Sequence, residues 1–184
     1  MIKKLSGLAL QIALPFALLL VITLGGLSLY LSSFIQKSYL DLLKDNLQSE
    51  TRLVADRITP LMQSGPDAAT VEKRVAADAS LLGARITIID PTGKVIGDST
   101  ADPLVMENHL TRPEVARAMQ GQVSTELRYS ATLRTQMLYA AAPIKSNGQI
   151  IGTARLAVSL ETIQRNESNL LRTVSIATLV AALL

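Results

Sequence analysis

No charged residue stands between Leu5 and Gln36, and the middle of that stretch, "LALQIALPFALLLVITLGGLSLYL", is almost wholly apolar. This run limits what the 184-residue chain can fold into more than any other feature. A helix of about 20 apolar residues crosses a bilayer, so the stretch is long enough to span with some tilt. A cleaved signal peptide shares the basic "MIKK" start, but its apolar region runs to about 7–15 residues and ends at a small-x-small site. Here the run is longer, and "LYLSSF" after it offers no Ala-x-Ala site, so the residues read as an uncleaved transmembrane helix. Pro15 falls inside the span, where it is expected to kink the helix locally rather than end it.

Orientation follows from Lys3 and Lys4, which by the positive-inside rule put the N-terminus in the cytoplasm and the segment after the span outside. At the other end the uncharged "TVSIATLVAALL" follows Arg172. It is too short to span and reads as the first half of a truncated second transmembrane helix; an apolar tail packed on the domain is the alternative. The expected organisation is residues 1–36 as cytoplasmic N-terminus and first transmembrane helix, 37–170 as an extracytoplasmic domain, and 171–184 as the start of a second transmembrane helix. The protein is then expected to cross a cell membrane more than once.

The chain has 18 Lys and Arg against 15 Asp and Glu. With the two anchoring lysines set aside the charges are within one of balance, which gives no case for nucleic acid. There is no cysteine, so the exterior domain holds by its own core rather than by disulfides.

After the span, Leu43, Leu47, Val54, Ile58 and Leu61 recur at helical spacing among charges, predicting a long amphipathic helix that ends near Pro60. "SGPD" reads as a turn, with Asp67 as N-cap of a second helix carrying Val71, Val75, Ala79 and Leu82, and Gly83 as its stop. The period then changes to two. "ARITIID" and "KVIGDS" read as strands joined by the tight turn "DPTG". A short helix in "HLTRPEVARAMQG" comes next, followed by "QVSTELRYS", "RTQMLYAAAPI" and "QIIGTARLAVSL", the last two joined by the hairpin signal Asn147-Gly148. Two strands, a helix and three strands in meander predict the α+β class, a five-stranded antiparallel sheet with helices on one face. From Leu160 the pattern returns to helix (Leu160, Ile163, Leu170, Val174) and runs into the second apolar segment.

Catalysis is not expected of these residues. They hold no cysteine, one histidine, no Gly-rich phosphate loop and no metal-ligand spacing. His109 with Asp98, Asp102 and Glu107 nearby offers the donors of a metal site, but a lone histidine among scattered carboxylates reads more plainly as a solvated loop. Thr111-Arg112-Pro113-Glu114 matches the capping box, with the Glu114 carboxylate expected to reach back to the Thr111 amide. Pro113 suits the first helical turn, and Arg112 beside a helix start reads as an anion-attracting position.

The string "DSTADPLVMENHLTRPEVARAMQGQVSTELRYSATLRTQMLYAAAPI", Asp98 to Ile144, resembles the extracytoplasmic PAS-like (PDC, or single Cache) sensor region of bacterial membrane sensor histidine kinases. Within these it looks like the phosphate-regulon type. The resemblance covers about Leu81 to Leu160 and includes the flanking helices in architecture only. It implies a PAS-like sheet between two transmembrane helices, and a signal-input role in a two-component system. It implies a parent protein that is an ATP-dependent protein histidine kinase, with ATP and Mg bound only in a cytoplasmic half that these 184 residues lack, and with no cofactor here. A homodimer and a cytoplasmic response regulator are implied partners. Carried over residue by residue, it places a ligand site at His109, Arg112, Arg128, Ser130 and Tyr139, suited to a small anion. His109 lies outside the membrane by the topology above and is not the phosphoacceptor. Strand alternation puts Arg128 and Tyr129 on opposite faces, so one of them faces a pocket. The competing functions are a chemoreceptor or cyclic-dinucleotide enzyme with a similar input region, and a membrane-anchored adaptor that binds an envelope protein.

Overall fold

Apolar residues at every turn carry the first helix, α1, without interruption from Gly7 to Gln63. The helix passes through Pro15, and it also passes Pro60, whose carbonyl accepts from the Ser64 amide in the closing turn. The structure is a computed structural model that describes residues 7–65, 67–130 and 135–160, with side chains from Gln11 onward. Lys3 and Lys4, the helix expected from Leu160 and the second apolar segment lie outside the described residues.

The chain divides into two units, one of them Asp41–Glu161. The described part of the other is residues 7–40 of α1. Leu14, Phe16, Leu18, Leu20 and Ile22 are all more than half exposed there. By length and composition α1 is apolar enough to cross a membrane.

Within Asp41–Glu161, α1 buries Leu47, Thr51, Val54, Ala55 and Ile58, a stripe at helical spacing. Helix α2 (Ala68–Leu82) starts where the sequence predicts: the Asp67 carboxylate accepts from the Thr70 amide. It ends at Gly83 in the left-handed conformation, φ 61°, whose amide donates to the Ala79 carbonyl. Its buried positions are Val71, Val75 and Asp78. Asp78 takes the place expected of Ala79 because Arg57 of α1 and Arg74 both reach its carboxylate, at 3.4 and 3.2 Å.

The strands are β1 (Arg85–Ile89), β2 (Val95–Asp98), β3 (Ser124–Ser130), β4 (Thr135–Ser146) and β5 (Gln149–Ser159). They form one five-stranded sheet in the order β2-β1-β5-β4-β3, each pair antiparallel. The β1–β2 turn closes on Asp90, whose carboxylate accepts from the Thr92 and Lys94 amides. Asn147 (φ 50°) and Gly148 (φ 80°) make the two-residue hairpin between β4 and β5.

Alternation along the strands separates two unlike faces. One carries Ile86, Ile88, Leu138, Ala140, Ile144 and Leu156, all fully buried. Gly97 on that face lies against Val71 and Val75 of α2, and Gly152 lies against Met62 of α1. Each fully buried Leu, Ile or Val contributes about 1.5–3 kcal/mol, so this face is the main core. The other face carries Arg85, Thr87, Arg155, Tyr139 and Arg128, and it is covered by the third helix, α3 (Pro113–Met119). Val115 of α3 joins Ile89 and Val95 in a small apolar cluster. Helices therefore flank both faces, a correction to the one-sided arrangement expected from the strand order. Periodicity locates the elements, but α3 is too short to declare which side it takes.

Candidate functional site

On the α3 face the strand register brings polar side chains from four strands into one row. Thr87 of β1 pairs with Arg155 of β5, Tyr139 of β4 pairs with Ala157, and Arg128 of β3 pairs with Met137. Paired residues share a face, so Arg85, Thr87, Arg155, Tyr139, Arg128 and Ser130 all project the same way.

The row is linked from end to end. Asp98, 3% exposed, accepts from the Arg85 Nε at 3.1 and 3.2 Å and from the Thr87 hydroxyl at 2.7 Å. The amides of Thr100 and Ala101 donate to the same carboxylate. Burial alone would raise the Asp98 pKa, but these hydrogen bonds outweigh it and hold the carboxyl below its ordinary value. The Thr87 hydroxyl also accepts from Arg155 Nη2 at 3.3 Å. Arg155 then meets the Glu114 carboxylate at 3.6 Å, and Arg128 Nη2 meets the same oxygen at 3.4 Å. Tyr139 presents its ring to both cations, with Arg128 at 4.5 Å and Arg155 at 5.2 Å from the centroid. Such contacts contribute about 0.5–2 kcal/mol each as desolvation increases.

Burial is the main cost of this row. Arg155 is 4% exposed. Desolvation pushes its pKa down to about 10 against the favourable field of Glu114, so it stays protonated at neutral pH. Glu114 is fully buried, and its position overturns the expected capping box. The N-cap of α3 is Arg112 (φ −69°, ψ 128°), one residue later than Thr111, and no side chain caps it. Glu114 thus sits at the second helical position, where the buried Arg155 and the partly buried Arg128 draw its carboxylate inward more strongly than an exposed Thr111 amide could. Pro113 does stand at the helix start as expected.

The loop before α3 is pinned to the β1–β2 turn. The Asn108 amide side chain donates to the Thr92 carbonyl, and its oxygen accepts from the Leu110 amide. The His109 amide donates to the Gly93 carbonyl at 2.8 Å. Gly93 has φ 87°, and a Cβ there would collide with the Asn108 side chain and with Leu110 Cβ, so the close docking requires glycine. His109 is 6% exposed and its Nδ1 has no hydrogen-bond partner. Burial first, then the charges of Arg155 and Arg112, push its pKa down to about 4. At neutral pH the imidazole is therefore uncharged.

These side chains surround a cavity of about 450 Å³ lined by Arg85, Met106, Glu107, His109, Arg112, Arg128, Tyr129, Ser130, Tyr139 and Arg155. The five positions taken from the sequence, His109, Arg112, Arg128, Ser130 and Tyr139, all border it. Arg112 stands at its edge, half-buried and 3.8 Å from Glu107, whose side chain is 88% exposed. Tyr129 borders the cavity while exposing 56% of its surface, and Arg128 on the opposite face points inward. Sequence reasoning missed Arg85 and Arg155 and gave Glu114 a different role. The signal was present: Arg155 is the lone charge in "IIGTARLAV", on a central strand where an unpaired charge is costly. Asp98, a candidate metal ligand beside His109 in the sequence, is taken up by Arg85 and Thr87. Among the described residues no three His, Asp or Glu side chains gather as a metal-holding group.

An antiparallel sheet with a long helix on one face and a polar cavity under a short helix on the other is the architecture of PAS-like sensor modules. The family described as single Cache-like matches residues 37–159, and the chain belongs to that family. Its fold is shared with the sensor domain of the V. cholerae histidine kinase DctB, at 18% identity and a TM-score of 0.64 over 73% of this chain and 55% of that one. It is also shared with the ligand-binding domain of the Campylobacter jejuni chemoreceptor Tlp3 in complex with 4-methylisoleucine, at 17% identity and a TM-score of 0.59 over 73% and 58% of the two chains. The E. coli DcuS sensor domain matches at 16% identity and a TM-score of 0.56, over 70% of this chain and 96% of that one. The chain spans little more than half the length of the DctB and Tlp3 structures. No curated protein matches. Cache-type sensor domains of this fold thus occur in both histidine kinases and chemoreceptors.

Proposed function

We propose that the chain is the signal-input region of a bacterial membrane sensor histidine kinase, and that its extracytoplasmic Cache domain takes a small oxyanion, a carboxylate or phosphate, into the cavity. The observation that carries this reading is the uneven charge of the buried row. Asp98 neutralises Arg85, but Arg128 and Arg155 share the single carboxylate of Glu114, and the Nε atoms of both lack partners. One positive charge is left over beside a cavity whose histidine is neutral. A carboxylate or phosphate entering there gains charge-assisted bonds of about 1.5–3 kcal/mol each.

An amino acid, such as the 4-methylisoleucine bound by Tlp3, also needs an acceptor for its ammonium group. Neither Asp98 nor Glu114 borders the cavity, and Glu107, which does, is solvated beside Arg112. The cavity therefore favours an anion without an ammonium. The likeness of Asp98–Ile144 to the phosphate-regulon type makes inorganic phosphate the first ligand to try.

In this reading the domain works as a homodimer, and a kinase half outside this chain, using ATP and Mg, passes the signal to a cytoplasmic response regulator. The shared fold supports a chemoreceptor output equally, and the phosphorylation state of the full-length protein distinguishes the two. Calorimetry of the chain in lipid nanodiscs with phosphate, succinate and L-valine tests the input. Phosphate or succinate is expected to bind and valine is not. Binding of valine alone would overturn the anion reading.

A further inference from the structure

Glu114 occupies an unusual place in this site. It is fully buried, belongs to α3 rather than to the sheet, and is the anion that Arg128 and Arg155 face. Its contacts are long for ion pairs: 3.4 and 3.6 Å, against about 2.7–2.9 Å for a well-formed charge-assisted bond. Both contacts fall on one oxygen. Glu114 Oε2 has no hydrogen-bond partner, and neither do Arg128 Nε and Arg155 Nε. A carboxylate placed only to position two arginines would use both oxygens at short range. Here one carboxylate is spread across two guanidiniums from strands β3 and β5 and satisfies neither.

Resting on the anion-binding reading above, we propose that Glu114 is a built-in competitor of the ligand. It supplies the negative charge for Arg128 and Arg155 when the cavity is empty, and a bound oxyanion must draw the same guanidiniums away from it. Two consequences follow from Coulombic repulsion in a partly desolvated site. The Glu114 charge weakens the binding of every small anion, and it weakens a dianion more than a monoanion, because the repulsion scales with ligand charge. Affinity is thereby set low enough for the domain to empty when the ligand becomes scarce. Arg128 is the cation that moves, since it is 29% exposed on the edge strand while Arg155 is enclosed and tied to Thr87.

Glu114→Gln tests this, because the amide keeps the shape and removes the charge. The full chain in nanodiscs is titrated with inorganic phosphate, succinate and acetate, as wild type and as Glu114→Gln. The variant is expected to bind about tenfold more tightly, with the larger gain for succinate as a full dianion over acetate as a monoanion. A purely structural role predicts the reverse, since disordering the two arginines lowers affinity. Wild-type binding with equal or weaker binding by the variant overturns the competitor role and leaves the anion sensor standing. Absence of binding by both proteins overturns the sensor reading and this inference with it. If Glu114→Gln does not fold, Glu114→Asp draws the carboxylate back by one methylene and is expected to tighten binding about two- to threefold. Weaker binding by that variant overturns the proposal.

Discussion

His109 is the one histidine in the chain, which makes its titration readable without assignment. An imidazole in an unfolded chain titrates near 6.5, whereas in the folded domain burial, then Arg155 and Arg112, lower its pKa to about 4. The nearby main chain of Glu107 and Asn108 pulls in the opposite direction without prevailing. Because the folded pKa is depressed, the unfolded chain takes up a proton that the native state refuses between about pH 6.5 and 4. Stability is full above that window and falls as pH drops through it. With these two pKa values the loss from pH 7 to pH 5 is at most about 2 kcal/mol, an upper bound because His109 lines an open cavity where solvent screens part of the field. Two-bond nitrogen–proton spectra of the chain labelled at histidine read the midpoint directly, and melting at pH 7 and pH 5 reads the stability. A His109→Gln variant should lose this pH-dependent part. A midpoint at pH 6 or above in the ligand-free protein would refute the account of burial and cationic neighbours. Saturating phosphate or succinate should raise the midpoint by offsetting the charges of Arg155 and Arg112.

Arg155→Met should weaken binding of whichever oxyanion binds the wild type by at least about tenfold, as one charge-assisted contact is lost, measured by calorimetry. Gly152→Ala places a Cβ against the Ile89 carbonyl and the Met62 methyl, with backbone on one side that cannot yield; a loss of about 1–3 kcal/mol is expected in denaturation. Asp98→Asn leaves Arg85 without its counter-ion and should cost about 3–5 kcal/mol at pH 7. Since the Asp98 pKa is depressed, the wild-type advantage over that variant should begin to narrow as pH falls below the ordinary carboxylate value and go on narrowing toward the lower folded one, which melting curves at pH 7 and pH 3 would show.

The strands, their turns and α2 could be read from the sequence because local chemistry decides them. Asp67 caps α2, Gly83 stops it, and Asn147-Gly148 turns the last hairpin through contacts only a few residues apart. Glu114 could not be read in this way. Its spacing from Thr111 satisfies a local rule, but the arginines that claim it stand 14 and 41 residues away in sequence, across the sheet. Arg85 and Arg155 were overlooked for a related reason. A single charge in an apolar strand looks like a solvated edge until the strand order β2-β1-β5-β4-β3 places β5 in the centre. The side taken by α3 was hidden as well, since seven residues carry too little apolar surface to announce a face.

The two faces of the sheet have neighbours of opposite kinds on the same strands. Tyr139 borders the cavity, while Leu138 before it lies in the core with the helices; Arg155 and Leu156 on β5 divide in the same way. The cavity and the Met62 end of α1 therefore lie on opposite faces of the sheet. A ligand can influence that helix by altering the pleat of β4 and β5, so that a pull on an arginine side chain becomes a rotation of the next peptide plane. Small residues make up the middle of β4, at Ala140, Ala141 and Ala142, and on β5 Ala154 and Ala157 flank Arg155 and Leu156. Few bulky side chains brace β4 there, and the two strands form a thin diaphragm between the chemistry on one side and the mechanics on the other.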